Sequence, residues 1–88
     1  MTWKIEFDTS VEKDLKKLGH TAQKKIIQYI KEKILPAENP RLLGKSLSGK
    51  LSDIWRYRVG DYRLLAKIED DQFVILVIHV GHRKDVYR

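Results

Sequence analysis

Apolar and polar residues alternate strictly through Trp3-Lys4-Ile5-Glu6-Phe7, the period-two signature of a strand with one buried face. From Val11 the period changes, and Val11, Leu15 and Leu18 recur at helical spacing with lysines between them. Asp8, Thr9 and Ser10 are candidate caps for this helix, with Glu12 placed to complete a capping box from Thr9, and Gly19 closes it. Thr21 then opens a second helix whose stripe runs through Ala22, Ile26, Ile27, Ile30 and Ile34 until Pro36 stops it. So short a connection predicts an antiparallel helical hairpin with its stripes laid on a sheet.

Residues Pro36 to Gly49 read as one long irregular segment, broken by Asn39-Pro40, Gly44 and Gly49, with Leu42, Leu43 and Leu47 expected to tuck it against the core. A strand from Ile54 to Val59 follows, then a Gly60-Asp61 turn, then a second strand beginning at Tyr62. Asp70 and Asp71 turn the chain into a last strand, Phe73 to Val80, whose near-continuous apolar character predicts burial on both faces, with Gly81 ending it. The expected fold is α+β: an N-terminal strand, a helical hairpin and a three-stranded antiparallel meander, with the helices on one face of the sheet. The pairing partner of the first strand stays open.

The two-residue turn fixes a register in which Val59 faces Tyr62, Arg58 faces Arg63, Tyr57 faces Leu64 and Arg56 faces Leu65. Trp55, Tyr57, Val59, Tyr62, Leu64 and Ala66 then share one face, and Arg56, Arg58 and Arg63 share the other. Like charges directly opposite one another destabilise a sheet, so a cluster of this kind points to an anion that completes it.

Composition narrows the picture. Eighty-eight residues make one small domain, 1–88, without room for a second. There is no cysteine, hence neither a disulfide frame nor a thiolate zinc site, which suits a cytoplasmic protein. The longest apolar run, Phe73 to Ile78, is far short of the roughly 20 residues of a bilayer span, and no signal-peptide core is recognisable, so neither export nor a membrane is expected. No His, Asp and Glu grouping has metal-ligand spacing, and no cofactor motif is present.

The formal charge of +6 is concentrated between Arg41 and Lys67, where seven basic residues stand against two acidic ones. Clustered positive charge is the electrostatic footprint of a nucleic acid or an acidic protein. Scattered lysines are more often a solvated surface, but strand pairing denies that reading to the arginines.

The order of elements, the LSG followed by WRYRVGDYR, and the apolar strand ending in VGHRKDVYR together resemble the RelE family within the RelE/ParE toxin superfamily. The resemblance covers the whole chain. It implies the toxin of a type II toxin-antitoxin system, a metal-independent and cofactor-free endoribonuclease that enters the ribosomal A site and cuts mRNA there. The implied chemistry is attack of the ribose 2′-OH on the adjacent phosphate, leaving a 2′,3′-cyclic phosphate and a free 5′-OH. The implied partners are the ribosome with its mRNA and a cognate antitoxin that blocks the toxin in a heterodimer or heterotetramer.

Position by position, the resemblance implies that Arg56 and Arg58 occupy a pair of basic strand positions and that Arg63 is the arginine of the YR pair after the turn. Arg83, just past the last strand, would stabilise the scissile phosphate, and Tyr87 would stack on or orient a nucleotide. Lys45, Lys50, Lys84 and Arg88 are candidate RNA-binding cations.

This chain departs from the family pattern where arginines replace the common strand lysines. Arginine is effectively always protonated, so it makes a poor general base. His82 is the natural candidate in its place, since an imidazole titrates near neutral pH. An exposed histidine without a role, and catalysis by positioning and charge with no residue base, both stay open. His79 reads as a buried, hydrogen-bonded histidine on the Tyr62 side of the sheet, His20 as an exposed residue at the helix connection, and Trp55 and Tyr57 as core. Two rivals to the nuclease remain, a ParE-like DNA gyrase poison without nuclease activity and a catalytically inactive RNA-binding relative.

Overall fold

The computed structural model describes residues 3–82. Their sheet has five strands: β1 (Lys4–Phe7), β2 (Lys45–Ser46), β3 (Ile54–Val59), β4 (Tyr62–Glu69) and β5 (Val74–His82), in the order β1-β5-β4-β3-β2. The predicted meander is β3, β4 and β5, antiparallel throughout. β1 joins it in parallel, with Ile5 beside Ile75 and Phe7 beside Val77, which settles the partner of the first strand. β2 was not foreseen, since two residues inside a glycine-punctuated loop carry no periodicity.

Helices α1 (Thr9–Leu18) and α2 (His20–Tyr29) form the expected hairpin. Asp8, not Thr9, caps α1, its Oδ1 accepting from the Ser10 N–H at 3.2 Å. Gly19 ends α1 at φ +90°, and its backbone leads straight into α2, so the second helix starts at His20 ahead of Thr21. His20 itself is exposed, as expected. After α2 the chain widens into a π turn, Ile30–Ile34, closed by the Leu35 N–H donating to the Ile30 carbonyl at 2.9 Å. Ala22, Ile26, Ile30 and Ile34 remain buried through this change of pitch. Ile26, Ile30 and Ile34 meet Tyr57, Val59, Leu64, Ala66, Ile75, Val77 and Val80 from the sheet, and Val11 from α1, in a single core on one face.

β1 is shorter than β5, so the last part of β5 would present open backbone groups at its outer edge, a costly state for buried polar atoms. α1 supplies the partners. The Asp8 N–H donates to the Val77 carbonyl at 2.9 Å, the Ser10 hydroxyl to the Ile78 carbonyl at 3.4 Å, and Asp14 accepts from the Val80 N–H at 3.1 Å.

Four local expectations change. β5 begins one residue late because Phe73 takes the left-handed conformation, φ 52°, where its ring packs edge-on against Trp3 at 5.3 Å. Gly81 does not end the strand, which runs on to His82. A bulge beside Leu65 and Ala66 shifts the register by one, so His79 stands opposite Leu65 rather than on the Tyr62 side. Its side chain is 42% exposed and contacts Asp14 through Nδ1 at 2.9 Å, in place of the burial expected. Finally, Leu42 and Leu43 are exposed, not tucked under the loop.

Candidate active site

Gly60 takes φ +60°, the conformation that a two-residue hairpin turn requires, and the ladder pairs Arg58 with Arg63, Tyr57 with Leu64 and Arg56 with Leu65, as the turn predicts. Arg56, Arg58 and Arg63 therefore lie on the sheet face away from the Tyr57 core. β2 adds a cation to that face. Lys45 pairs with Arg56, and Lys45, Arg56 and Arg58 line a cleft of about 240 Å³ whose remaining walls are Leu42, Leu43 and Gly44.

The loop that carries the leucines is held from several directions. Pro40–Leu43 forms a 3-10 turn capped by the Asn39 side chain, which accepts from the Arg41 N–H at 3.1 Å. The buried Tyr57 hydroxyl donates to the Pro40 carbonyl at 2.9 Å, and burial pushes its pKa up to about 12. Arg41 forms a two-pronged ion pair with Asp70 at 2.8 and 2.6 Å and lies over the half-buried Trp55 ring at 5.8 Å. The paired guanidinium holds the Asp70 carboxyl below its ordinary range. Gly44 passes so close to β3 that a Cβ would stand 2.7 Å from the Arg56 carbonyl oxygen and 3.0 Å from the Tyr57 ring.

Arg63 departs from the expected picture of three solvent-facing guanidinium groups. It is only 4% exposed, and its Nη1 donates to the Tyr62 carbonyl at 3.0 Å and reaches the Gly60 carbonyl at 3.4 Å. Its cross-strand partner on β5 is Gly81, which has no side chain to compete for that space. Arg63 thus braces the hairpin turn from below, while Arg56 and Arg58 face the cleft.

His82 is not brought to the arginines. It pairs with Tyr62 across β4 and β5 and stands edge-on to that ring at 6.0 Å, which places it on the opposite sheet face. The period-two count past the bulge accounts for this, because the extra residue reverses the parity of everything after it. Lys50 sits exposed on the 3-10 turn Gly49–Leu51 and does not line the cleft. Arg83, Lys84, Tyr87 and Arg88 lie outside the described residues. Among the described residues, no three His, Asp or Glu side chains cluster as metal ligands would, and no helix is long and apolar enough to cross a membrane.

Two guanidinium groups and an ammonium on one strand ladder offer chemistry suited to a phosphate, with planar donors that match phosphate oxygens in pairs. They can stabilise charge that grows on a phosphoryl group. What the sequence did not disclose was the outer wall. Gly44 was read as a breaker, although a glycine beside a strand can equally mark a close approach of backbone.

This small sheet, hairpin and cationic cleft define a known class. The chain belongs to the family described as the ParE toxin of the type II toxin-antitoxin system, parDE, whose model matches residues 5–87. Within that family its relatives are RelE-type toxins. Toxin RelG of Mycobacterium tuberculosis is 30% identical over 88 residues, covering 100% of this chain and 99% of RelG. The mRNA interferase toxin RelE of Escherichia coli is 29% identical over 86 residues, covering 96% and 86% of the two chains. Among solved structures, the toxin-antitoxin complex RelBE2 of M. tuberculosis superposes with a TM-score of 0.85 at 26% identity, covering 94% of this chain and 100% of the matched one. A mutant of E. coli RelE in complex with an antitoxin RelB peptide gives 0.73 at 30% identity, covering 99% and 92%.

Proposed function

We propose that this toxin is a ribosome-dependent endoribonuclease that cleaves mRNA in the A site. The observation that carries the reading is the cleft in which Lys45, Arg56 and Arg58 converge, since three fixed cations on one sheet face suit a phosphodiester whose negative charge rises during attack. The E. coli relative bears the name mRNA interferase, which fits this chemistry. In the proposed step the 2′ oxygen bonds to the adjacent phosphorus as its proton passes to solvent. The P–O5′ bond breaks with its electron pair on O5′, which takes a proton from solvent, leaving a 2′,3′-cyclic phosphate and a 5′-OH. With His82 turned toward Tyr62, the barrier is lowered by positioning and charge rather than by a residue base. Arg83 adds charge at the scissile phosphate, Tyr87 stacks on a nucleotide, and Lys50, Lys84 and Arg88 hold the flanking backbone. Arg63 serves as the brace of the hairpin that presents Arg58.

The same reading makes residues 1–88 a single cytoplasmic domain, neutralised by a cognate antitoxin in a heterodimer or heterotetramer. The structures similar to it include RelBE2 and a RelB-RelE complex of Methanococcus jannaschii, each a toxin bound to its antitoxin. The chemistry is tested by end-group analysis of fragments from programmed ribosomes. Fragments that accept phosphate at the 5′ end without prior phosphatase treatment, and whose 3′ phosphate resists phosphatase until acid opens the ring, support it. A 5′-phosphate product contradicts it.

One observation favours a second reading. The matching family is described by the name ParE, and a ParE-like protein would poison DNA gyrase through protein contacts without cleaving RNA. Inhibition of gyrase supercoiling by the purified toxin, with mRNA left intact, would establish that reading.

A further inference from the structure

Leu42 is 82% exposed and Leu43 39% exposed, yet the turn that carries them is anchored to the rest of the fold. Its ties are the Tyr57 hydroxyl on the Pro40 carbonyl, the Asn39 cap, and the Arg41–Asp70 pair. A single exposed leucine needs no explanation. Two in succession, held in water by an anchored turn and forming a wall of the cationic cleft, call for an occupant.

The cleft has two chemistries at once, with Lys45, Arg56 and Arg58 along β2 and β3, and Leu42 and Leu43 opposite them beyond Gly44. A nucleotide carries the complementary pair, an anionic phosphate joined through ribose to a flat apolar base. Two leucine side chains are too small an area to anchor a protein partner, whose binding surfaces bury hundreds of Å² per side, but they suffice to cover one face of one base. The absent Cβ of Gly44 lets this wall stand directly against the arginine strand.

We infer that Leu42 and Leu43 form the platform on which the nucleobase next to the phosphate in the cleft is seated, and that they influence which base is accepted there. This rests on the nuclease reading and adds to it a determinant of base preference on an element remote in sequence from the arginines. The leucines position the substrate; they take no part in bond making.

The test uses the full-length toxin on ribosomes programmed with mRNAs that vary each base of the A-site codon, comparing wild type, Leu42→Ser/Leu43→Ser and Leu42→Met/Leu43→Met. Both side chains are exposed, so melting and circular dichroism should match wild type. The expected result is a KM for programmed ribosomes raised by about tenfold in the serine variant, a kcat within about twofold of wild type, a flattened base preference at one codon position, and recovery of both KM and preference in the methionine variant. Unchanged KM and base preference in the serine variant would overturn the inference while leaving the nuclease reading intact. A loss confined to kcat would likewise overturn it, since that would put the leucines in the chemical step. Absence of cleavage by wild type would instead remove the nuclease reading, and the inference with it.

Discussion

Arg58 and Arg63 are direct partners across the β3–β4 ladder, yet Arg58 lies in solvent while Arg63 is folded inward onto the carbonyls of Gly60 and Tyr62. Separating the two side chains relieves the repulsion that opposed like charges would suffer on a sheet. In the proposed function it also divides their roles, Arg58 to the phosphate and Arg63 to support of the turn. Arg58→Ala should leave stability within about 0.5 kcal/mol of wild type while lowering cleavage by about 100-fold. Arg63→Ala should cost about 1–3 kcal/mol, because the buried guanidinium and its bonds to the half-buried turn carbonyls are lost. Urea unfolding beside a cleavage assay separates the two effects, and equal destabilisation by both substitutions would contradict the division.

Gly44 is fixed by space rather than by dihedral angle, since its φ of −130° is open to any residue. Gly44→Ala should force the turn away from β3 at a cost of about 1–3 kcal/mol. Lys45 and the leucine wall would move with it. A lowered melting temperature accompanied by weakened cleavage is the expected outcome, and a neutral effect on both would show that the loop can give.

Tyr57 ties the same loop from below, and Tyr57→Phe should cost about 1 kcal/mol at neutral pH by leaving the Pro40 carbonyl without its donor. Burial raises the Tyr57 pKa from 10.0 to about 12, so the unfolded chain loses this proton first. The contribution is therefore whole below pH 10 and falls away as the pH climbs toward about 12. Denaturation of wild type and Tyr57→Phe across that range should show a gap that narrows above pH 10. A constant gap would contradict the assignment.

The Arg41–Asp70 pair is exposed, and its signature is a titration rather than a large stability term. Its stabilising effect is present above the usual aspartate range and is lost as the pH falls through the lowered Asp70 value. Carboxyl chemical shifts followed by NMR should show Asp70 titrating at lower pH than in an Arg41→Ala variant, where it returns toward an ordinary aspartate. Identical curves would mean that the pair does not persist in solution.

Much of this architecture could be read from period and punctuation. The Gly60-Asp61 turn named the pairs of the hairpin to the residue, and the isoleucine stripe of α2 named its buried face. The errors have local causes. The bulge beside Leu65 reversed the face of everything after it, which placed His79 and His82 on the wrong sides. Alternation and the resemblance together set Arg63 beside Arg56 and Arg58, but alternation states which face a side chain leaves from, not whether it then folds onto its own turn. Lys45 was named as a cation, but its pairing with Arg56 depends on a two-residue strand that no periodicity can mark. Leu42 and Leu43 were placed inside on hydrophobicity, which cannot foresee a turn anchored so as to hold them out.

The central claim is tested most directly by primer extension on mRNA in programmed ribosomes, comparing wild type, Arg58→Ala and a ribosome-free control. The account predicts cuts within the A-site codon that require the ribosome and fade by about 100-fold in the variant. Intact mRNA in every lane, from protein shown to be folded and toxic, would contradict it and direct attention to gyrase.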